Sequence, residues 1–413
     1  MKAASLSRRS FLGSAAATGA LAMALPGAQP QGANERINIG LIGTGGRCRH
    51  LMQALAKVPN TRMTAVCDVY EPHMDQARKL ADPKAFATRN YPEILKRKDI
   101  HAVLIASPDH WHVPMTVDAC AAGKDVYVEK PLTHNVAEGR AVIEAQNKHK
   151  RIVQIGTQQR SMPQFIRARE LVREGRLGHV YKVHLTWNRN SDRVRRGPQN
   201  VDVNRLDWKA FLGSARKQEF DAYRFRNWRW FWDFGNGILT DLMVHFIDVV
   251  HWYLDLDHPL KAVTVGDNYI SRGIWETPDT IQTLLVYRSE KNTNYVDDLQ
   301  VYFEGTFCNA RNGAMLEFMG TQATLYLDRG RFEIHPEPRS KGKYEEMVLG
   351  KGNRGRDFYD RPDGELLHLT HWIDCIRQRR TPNCPAEAGV SAASAAHLGN
   401  QAFRKNQIAQ WTK

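Results

Sequence analysis

Residues Arg36 to Arg49 read RINIGLIGTGGRCR, and this stretch decides the fold. Ile37, Ile39, Leu41 and Ile42 make a short apolar β run. Gly43-Thr44-Gly45-Gly46 follows at once, and then a helix-like stretch led by Arg47. Such a strand–glycine–helix unit is the first βα turn of a dinucleotide-binding fold. Gly43 permits the tight turn, Gly45 lets the backbone approach a pyrophosphate, and the helix N-terminus presents free N–H groups and a positive dipole end. A second β run, Met63 to Cys67, ends at Asp68, about twenty positions past the turn. There a carboxylate can accept hydrogen bonds from both hydroxyls of an adenosine ribose, and it favours NAD over NADP because a 2′-phosphate would meet its charge. The third glycine of the usual G-x-G-x-x-G falls on Cys48, a departure expected to push the helix slightly off its strand.

Outward from this unit, strand and helix alternate to Gly156, as a doubly wound parallel sheet requires. Candidate strands are 37–42, 63–67, 102–106, 125–128 and 152–155. Helix-like stretches fill the gaps at 46–57, 72–81, 91–97, 111–122 and 135–149, and another follows at 162–175. Beyond it, longer alternating runs such as 180–187, 262–269, 280–287 and 314–328 predict a second α/β domain on a largely antiparallel open sheet. Residues 338–362, rich in Gly, Lys, Arg and Asp, read as a long exposed loop; a helix over 366–379 and the segment 387–405 close the chain. The expected division is a leader over 1–33, a nucleotide-binding domain over 34–157 and a substrate-binding and oligomerisation domain over 158–413.

The leader is a separate message. Ser7-Arg8-Arg9-Ser10-Phe11-Leu12 carries an arginine pair, followed by an Ala/Gly-rich run to Leu25 and small residues near Ala28. The apolar run is too short for the roughly 20 residues a bilayer span needs. It predicts a cleaved twin-arginine signal and a periplasmic or secreted protein whose partner is the twin-arginine export machinery. That route carries folded proteins, so a nucleotide enzyme using it is expected to fold around its cofactor and carry it out.

Composition fits a two-domain globular enzyme: 413 residues, 42% hydrophobic and 25% charged. The formal charge of +14 is dispersed and no nucleic-acid fold signature accompanies it, so no nucleic-acid partner is expected. Six cysteines show no metal-ligand spacing; Cys375 with Cys384 is the one close pair.

Three clusters are candidates for chemistry. Ser107-Pro108-Asp109-His110-Trp111-His112 follows a strand. Ligands bind beyond the carboxyl ends of parallel strands, so Ser107, Pro108 and His112 are expected on the nicotinamide side. Glu129-Lys130-Pro131 follows the next strand, where Lys130 can hydrogen-bond a substrate oxygen or shuttle a proton. In the Gly-rich run from Gly235, a helix beginning near Thr240 would put Asp241 and His245 at i and i+4 on one face, with Asp248 further along it. Carboxylate and imidazole together suit proton abstraction from a hydroxyl. A metal set of His245, Asp248 and His251 fits no common ligand spacing, and no metal is expected. Tyr223 to Trp232 alternates aromatics and arginines; it suits stacking on sugar rings, through Trp230 for instance, or domain packing or a subunit contact. Gln158 and Arg160 are further candidates for substrate contact.

These motifs together resemble the Gfo/Idh/MocA family (glucose–fructose oxidoreductase and inositol dehydrogenase), from about residue 36 to the C-terminus. The resemblance implies a Rossmann domain followed by an open α/β domain whose sheet often serves as an oligomer interface, giving a dimer or tetramer. It implies oxidation or reduction at a secondary carbinol of a sugar or cyclitol, with Lys130 as catalytic lysine, His245 as general acid/base and Asp241 holding substrate and proton relay. The expected activity is thus an exported NAD(P)-dependent sugar or polyol oxidoreductase with a tightly held nucleotide. Two alternatives remain open. One is a nucleotide-assisted glycosidase or lyase, which Lys130 in its Glu-Lys-Pro motif argues against. The other is a sugar-binding protein with a structural nucleotide.

Overall fold

The apolar β runs of the N-terminal half assemble into one parallel sheet. The computed structural model describes residues 36–191, 193–288, 295–356 and 363–412, with backbone alone at 295–297; the leader lies outside the described residues. Six strands, β1 (Ile37–Ile42), β2 (Thr61–Cys67), β3 (Phe86–Thr88), β4 (Ala102–Ile105), β5 (Asp125–Val128) and β6 (Val153–Ile155), pair in the order β3-β2-β1-β4-β5-β6. Every pairing is parallel. Chain direction away from β1 therefore reverses between β1 and β4, and the crevice at that switch point is where such sheets take ligands.

Crossover helices α1 (Gly46–Leu55), α2 (Glu71–Arg78), α3 (Tyr91–Lys96), α4 (His112–Ala121) and α5 (Glu138–His149) connect the strands. β1, β4 and β5 are buried at almost every position, as strands covered on both faces must be. Cys48 is fully buried in α1 among Leu51, Met52 and Leu55, so the missing third glycine is accommodated by a small side chain within the core.

Among the described residues the second half is built on nine strands. Helix α6 (Pro163–Arg173) leads into β7 (Val180–Asn188). Short helices α7 (Trp208–Leu212) and α8 (Ala222–Arg226) precede the long α9 (Val244–Leu254). Then come β8 (Lys261–Asp267), β9 (Thr280–Tyr287), β10 (Tyr295–Thr306), β11 (Ala314–Gly320), β12 (Ala323–Leu327), β13 (Arg331–Pro336) and β14 (Glu345–Val348). Helices α10 (Gly364–Gln378) and α11 (Ala386–Lys405) and the short β15 (Ala409–Gln410) end the chain. The strand order is β14-β13-β12-β11-β7-β10-β9-β8-β15. All neighbours are antiparallel except β7 with β10.

Several features of the fold go beyond the sequence expectation. The run 314–328 is a hairpin of β11 and β12, turned at Thr321-Gln322. The expected loop 338–362 contains β14, an edge strand whose alternating exposure matches its polar sequence. Helix α10 returns to the first domain: Leu369, Trp372, Ile373 and Ile376 pack with Ile37, Leu51 and Leu55. The parallel sheet thus takes cover for part of one face from this distant helix.

Candidate active site

Two cavities of about 520 and 510 Å³ open side by side above the carboxyl ends of β1, β4 and β5. Gly46, Arg47, Ala106, Ser107, Trp228 and Arg229 line both, so they form one cleft with two compartments.

The outer compartment carries the glycine turn. Gly43 has φ +76°, and a Cβ there would lie 2.6 Å from the Ser107 backbone; both the left-handed backbone and the close approach to β4 demand glycine. Gly45 caps α1 without any side-chain cap bond, which leaves the first N–H groups of the helix for an anion. A Cβ on Gly46 would meet nothing within 4 Å. Asp68, 8% exposed at the end of β2, lines the same compartment. Its Oδ1 accepts from the Tyr70 amide at 2.9 Å, while Oδ2 lies 3.4 Å from Thr44 Oγ1 and 3.6 Å from His73 Nδ1. Thr44, fully buried, thus steadies Asp68 rather than lining the cavity. Open backbone at the turn, unshared N–H groups and a held carboxylate fit a dinucleotide.

The Tyr223–Trp232 stretch, for which domain packing was one expectation, helps to close this compartment. Residues 193–235 strap the second domain across the first. Asp207 N donates to Val69 O at 2.9 Å, and Arg205 pairs with Glu71 and Asp75. Trp111 Nε1 donates to Phe211 O at 2.9 Å. Phe225 meets Tyr70 edge to face at 5.3 Å, and Arg226 reaches His73 at 3.0 Å. Arg49, Arg89, Arg195 and Arg226 line the compartment beside Asp68. Of these four only Arg226 falls in the Tyr223–Trp232 stretch, whose composition shows contact without showing with what.

The inner compartment joins Lys130, from the turn after β5, to Asp241 and His245 of the second domain. Lys130 Nζ donates to Asp241 Oδ1 at 3.0 Å and to the Asp241 carbonyl oxygen at 2.7 Å. Leu239–Met243 is one turn of π-helix leading into α9, instead of the expected α-helix from Thr240. Such wide turns recur at functional sites, and this one offers its Asp241 carbonyl to the lysine. Arg229 Nε adds a bond to Asp241 Oδ1 at 3.2 Å. Burial opposes ionisation of Asp241, yet Lys130 and Arg229 outweigh it and hold the carboxyl well below the usual range.

α9 is buried at every position but Trp252, so its polar residues need partners. Asp248 binds Arg160 through two 2.8 Å bonds, and His251 sits between Ser391 Oγ and Tyr287 Oη at 2.8 Å each. His245 is different: it stacks on Trp187 at 5.4 Å, faces the cavity, and its Nδ1 has no hydrogen-bond partner among the described residues. Burial, reinforced by the charges of Lys130 and Arg329, pulls its imidazole well below the ordinary range. A neutral ring facing a cavity is a proton acceptor.

The remaining candidates divide. Ser107 lines both compartments, its buried Oγ without a partner among the described residues, and Pro108 lines the outer one. Gln158 lines the inner one, bonded to Glu365 at 3.2 Å through Nε2. Arg47 and Glu129 border it too, but the guanidinium is drawn to Glu129 at 3.0 Å and Glu365 at 3.1 Å. Both ring nitrogens of His112 lie against carbonyl oxygens, of Pro131 at 2.7 Å and Ser107 at 2.9 Å; it braces the two turns, and burial lowers its pKa to about 4. Arg160 and Trp230 line neither compartment. Arg160 is held by Asp248 and the Asn383 carbonyl, and Trp230 is stacked on Trp275 at 4.3 Å; Trp228 is the tryptophan of that stretch that borders the cleft. Cys375 and Cys384 are buried free thiols.

Known proteins agree with this architecture. Residues 37–157 match the family model "Oxidoreductase family, NAD-binding Rossmann fold", and residues 169–411 match its C-terminal alpha/beta domain. The first domain is an NAD-binding domain. Inositol 2-dehydrogenase of Rubrobacter xylanophilus is 30% identical over 164 residues, 39% of this chain and 46% of that protein. The enzyme of that name from Salmonella typhimurium is 30% identical over 231 residues, 55% of this chain and 56% of that one. The chain thus spans about half the length of the curated relatives it matches. Among solved structures, levoglucosan dehydrogenase in complex with NADH and levoglucosan superposes with a TM-score of 0.71 at 17% identity, covering 92% of this chain and all of the other. Aldose-aldose oxidoreductase from Caulobacter crescentus, complexed with glycerol, gives 0.68 at 19%, covering 91% and 100%. At these identities the likeness is one of fold. The two matched domains, in sequence order and together spanning nearly all the described residues, make this chain a member of the Gfo/Idh/MocA family of oxidoreductases.

Proposed function

We propose that this protein is an NAD-dependent dehydrogenase that oxidises a secondary hydroxyl of a sugar or polyol. The observation that carries the reading is the meeting of Lys130 with Asp241, beside a neutral His245, where the two compartments join. The inositol and levoglucosan dehydrogenases among its relatives point to the same substrate class. NAD, when bound, supplies the hydride acceptor. Gly43, Gly45 and the α1 N-terminus would hold its pyrophosphate, and Asp68 the adenosine ribose hydroxyls, which favours NAD over NADP. His245 takes the hydroxyl proton, Lys130 steadies the substrate oxygen as charge builds on it, and Asp241 holds the ammonium in position. Burial in the strapped cleft excludes water and fixes these groups.

The reading extends to export through the twin-arginine route on Arg8 and Arg9, to the periplasm or beyond. The strap over the outer compartment supports a nucleotide retained during that passage. The uncovered face of the second sheet, where Val263 and Val265 are exposed at 42% and 61%, supports assembly into a dimer or tetramer. Purified protein should reduce bound or added NAD in the presence of a sugar or cyclitol from a panel, followed at the reduced nicotinamide absorbance. Release of nitrophenol from a nitrophenyl glycoside without net reduction would instead support glycoside cleavage. Sugar binding with neither change would support a non-catalytic protein.

A further inference from the structure

One carboxyl of the inner compartment has no part in the chemistry described so far. Asp109 opens a short 3-10 turn after β4, lines the cavity and is 4% exposed. Its chain neighbours hold it there. His110 Nε2 lies 2.9 Å from the Phe211 carbonyl oxygen, and the His112 ring is wedged between the Pro131 and Ser107 carbonyl oxygens. Burial keeps both rings neutral, each lowered to about 4.

The other carboxyls of the compartment have their cations. Glu129 and Glu365 share Arg47, and Asp241 takes Lys130 and Arg229. No hydrogen bond or ion pair engages the Asp109 carboxyl among the described residues. The charged groups that act on it from other elements are Lys130 and Glu129 after β5, Arg229 of the strap and Asp241 of the π turn. Burial, the largest influence, raises its proton affinity well above the usual carboxylate range, while Lys130 and Arg229 pull the other way. A buried carboxylate without a partner is costly, and one further positive charge beside it would favour the ionised form.

Such a charge has a place. Ala106 and Ser107 line both compartments. A dinucleotide with its pyrophosphate at the α1 N-terminus would pass them to bring its nicotinamide within reach of Lys130 and His245. Asp109 stands two residues beyond Ser107, on the inner side. The oxidised ring is a cation and the reduced ring is neutral. The hydroxyl proton cannot stay on His245, whose proton affinity burial lowers, nor on Asp241, which its cations hold ionised.

We propose that Asp109 is the counter-ion of the oxidised nicotinamide and the group that takes up the proton of the reaction. The proposal rests on the dehydrogenase reading and adds a residue to it. Asp109 is an anion beside the cationic ring. When hydride leaves the substrate carbon with its electron pair and neutralises the ring, Asp109 receives the hydroxyl proton that His245 has removed. The substrate loses one hydride and one proton, both stay in the site, and the net charge of the compartment is unchanged.

The test compares mature protein holding NAD, loaded with it if purified without, before and after reduction of the bound nucleotide by borohydride, which needs no sugar. The readout is the infrared band of a protonated carboxyl. At neutral pH the reduced-minus-oxidised spectrum should gain one such band, and the pH at which it is half formed should rise by about 1–3 units on reduction. Asp109→Asn, or Asp109→Ser should the first variant lose its nucleotide, should show no gain. The same variant should shift the bound nucleotide toward its reduced form about tenfold or more, measured against a free NAD/NADH couple. Retained nucleotide and an unchanged Tm show that the variant is folded. No band gained on reduction, or the same gain in the variant, would overturn the proposal. The two readings fail separately. A gain in protein that oxidises no sugar removes the dehydrogenase and keeps the counter-ion; sugar oxidation without the gain does the reverse.

Discussion

Lys130 Nζ lies 3.0 Å from Asp241 Oδ1 and 2.7 Å from the carbonyl oxygen of the same residue. One side chain from the turn after β5 is thereby tied twice to a π-helical turn 111 residues later. The link ties the first domain to the second where the two compartments join. His245, on the next turn, faces the same cavity.

Replacing His245 with Ala should lower turnover on the best sugar by about 10²-fold or more, the usual scale of general acid–base loss. Lys130→Ala should cost a comparable factor. Both variants should retain nucleotide, since Gly43, Gly45 and Asp68 lie in the other compartment. Turnover measured alongside nucleotide occupancy checks this; near-native turnover in either variant removes that residue from its role.

The pH profile follows from the environment of His245. Burial, Lys130 and Arg329 hold its pKa well below 6.5. Oxidation needs the unprotonated ring, which is the form present above that lowered pKa. Sugar oxidation should therefore stay flat from neutrality down through pH 6.5 and fall only in more acidic solution. A kcat profile with its acid limb centred near the free-histidine value would contradict the assignment.

Asp68→Ser should raise the use of NADP relative to NAD. Arg49, Arg89, Arg195 and Arg226 already line this compartment, so removing one carboxylate leaves a cationic surround for a 2′-phosphate. The measurement is the ratio of kcat/KM for the two nucleotides. A parent protein that prefers NADP would refute the role given to Asp68.

Arg160 and Asp248 form a buried, two-bond ion pair away from the cleft. Asp248→Ala strands a buried guanidinium and should destabilise the fold by about 3–5 kcal/mol. Arg160→Ala should likewise act on denaturation midpoint rather than on KM. A large KM change with unchanged stability would return Arg160 to the substrate.

Export should depend on the arginine pair of the leader. Arg8→Lys combined with Arg9→Lys should leave the protein inside the cell with its leader attached. Cell fractionation and the mass of the chain decide it, and unchanged processing in the double variant would rule out the twin-arginine route.

Local rules carried the sequence reading far. β1 and β5 coincide with the expected strands, because short apolar runs bounded by turn residues have little other way to bury themselves. The glycine turn, the acid after β2 and the identities of Lys130, Asp241 and His245 were visible for the same reason: backbone limits and side-chain chemistry are written residue by residue. β10 was missed although Leu299, Val301 and Phe303 alternate inward, since Asp297-Asp298 interrupts the run and Asp298 has φ +60°. What tertiary structure alone decided is what each polar group faces. Arg160 and His245 are both buried polar residues near one helix, yet one meets a carboxylate and the other a cavity. Trp230 and Trp228 stand two residues apart, yet one stacks in the core and the other borders the cleft. Burial and partnership are set by neighbours distant in the chain, 88 residues away for Arg160 and Asp248, and no local pattern records them. The strap and the return of α10 to the first domain exist only once distant segments are packed together.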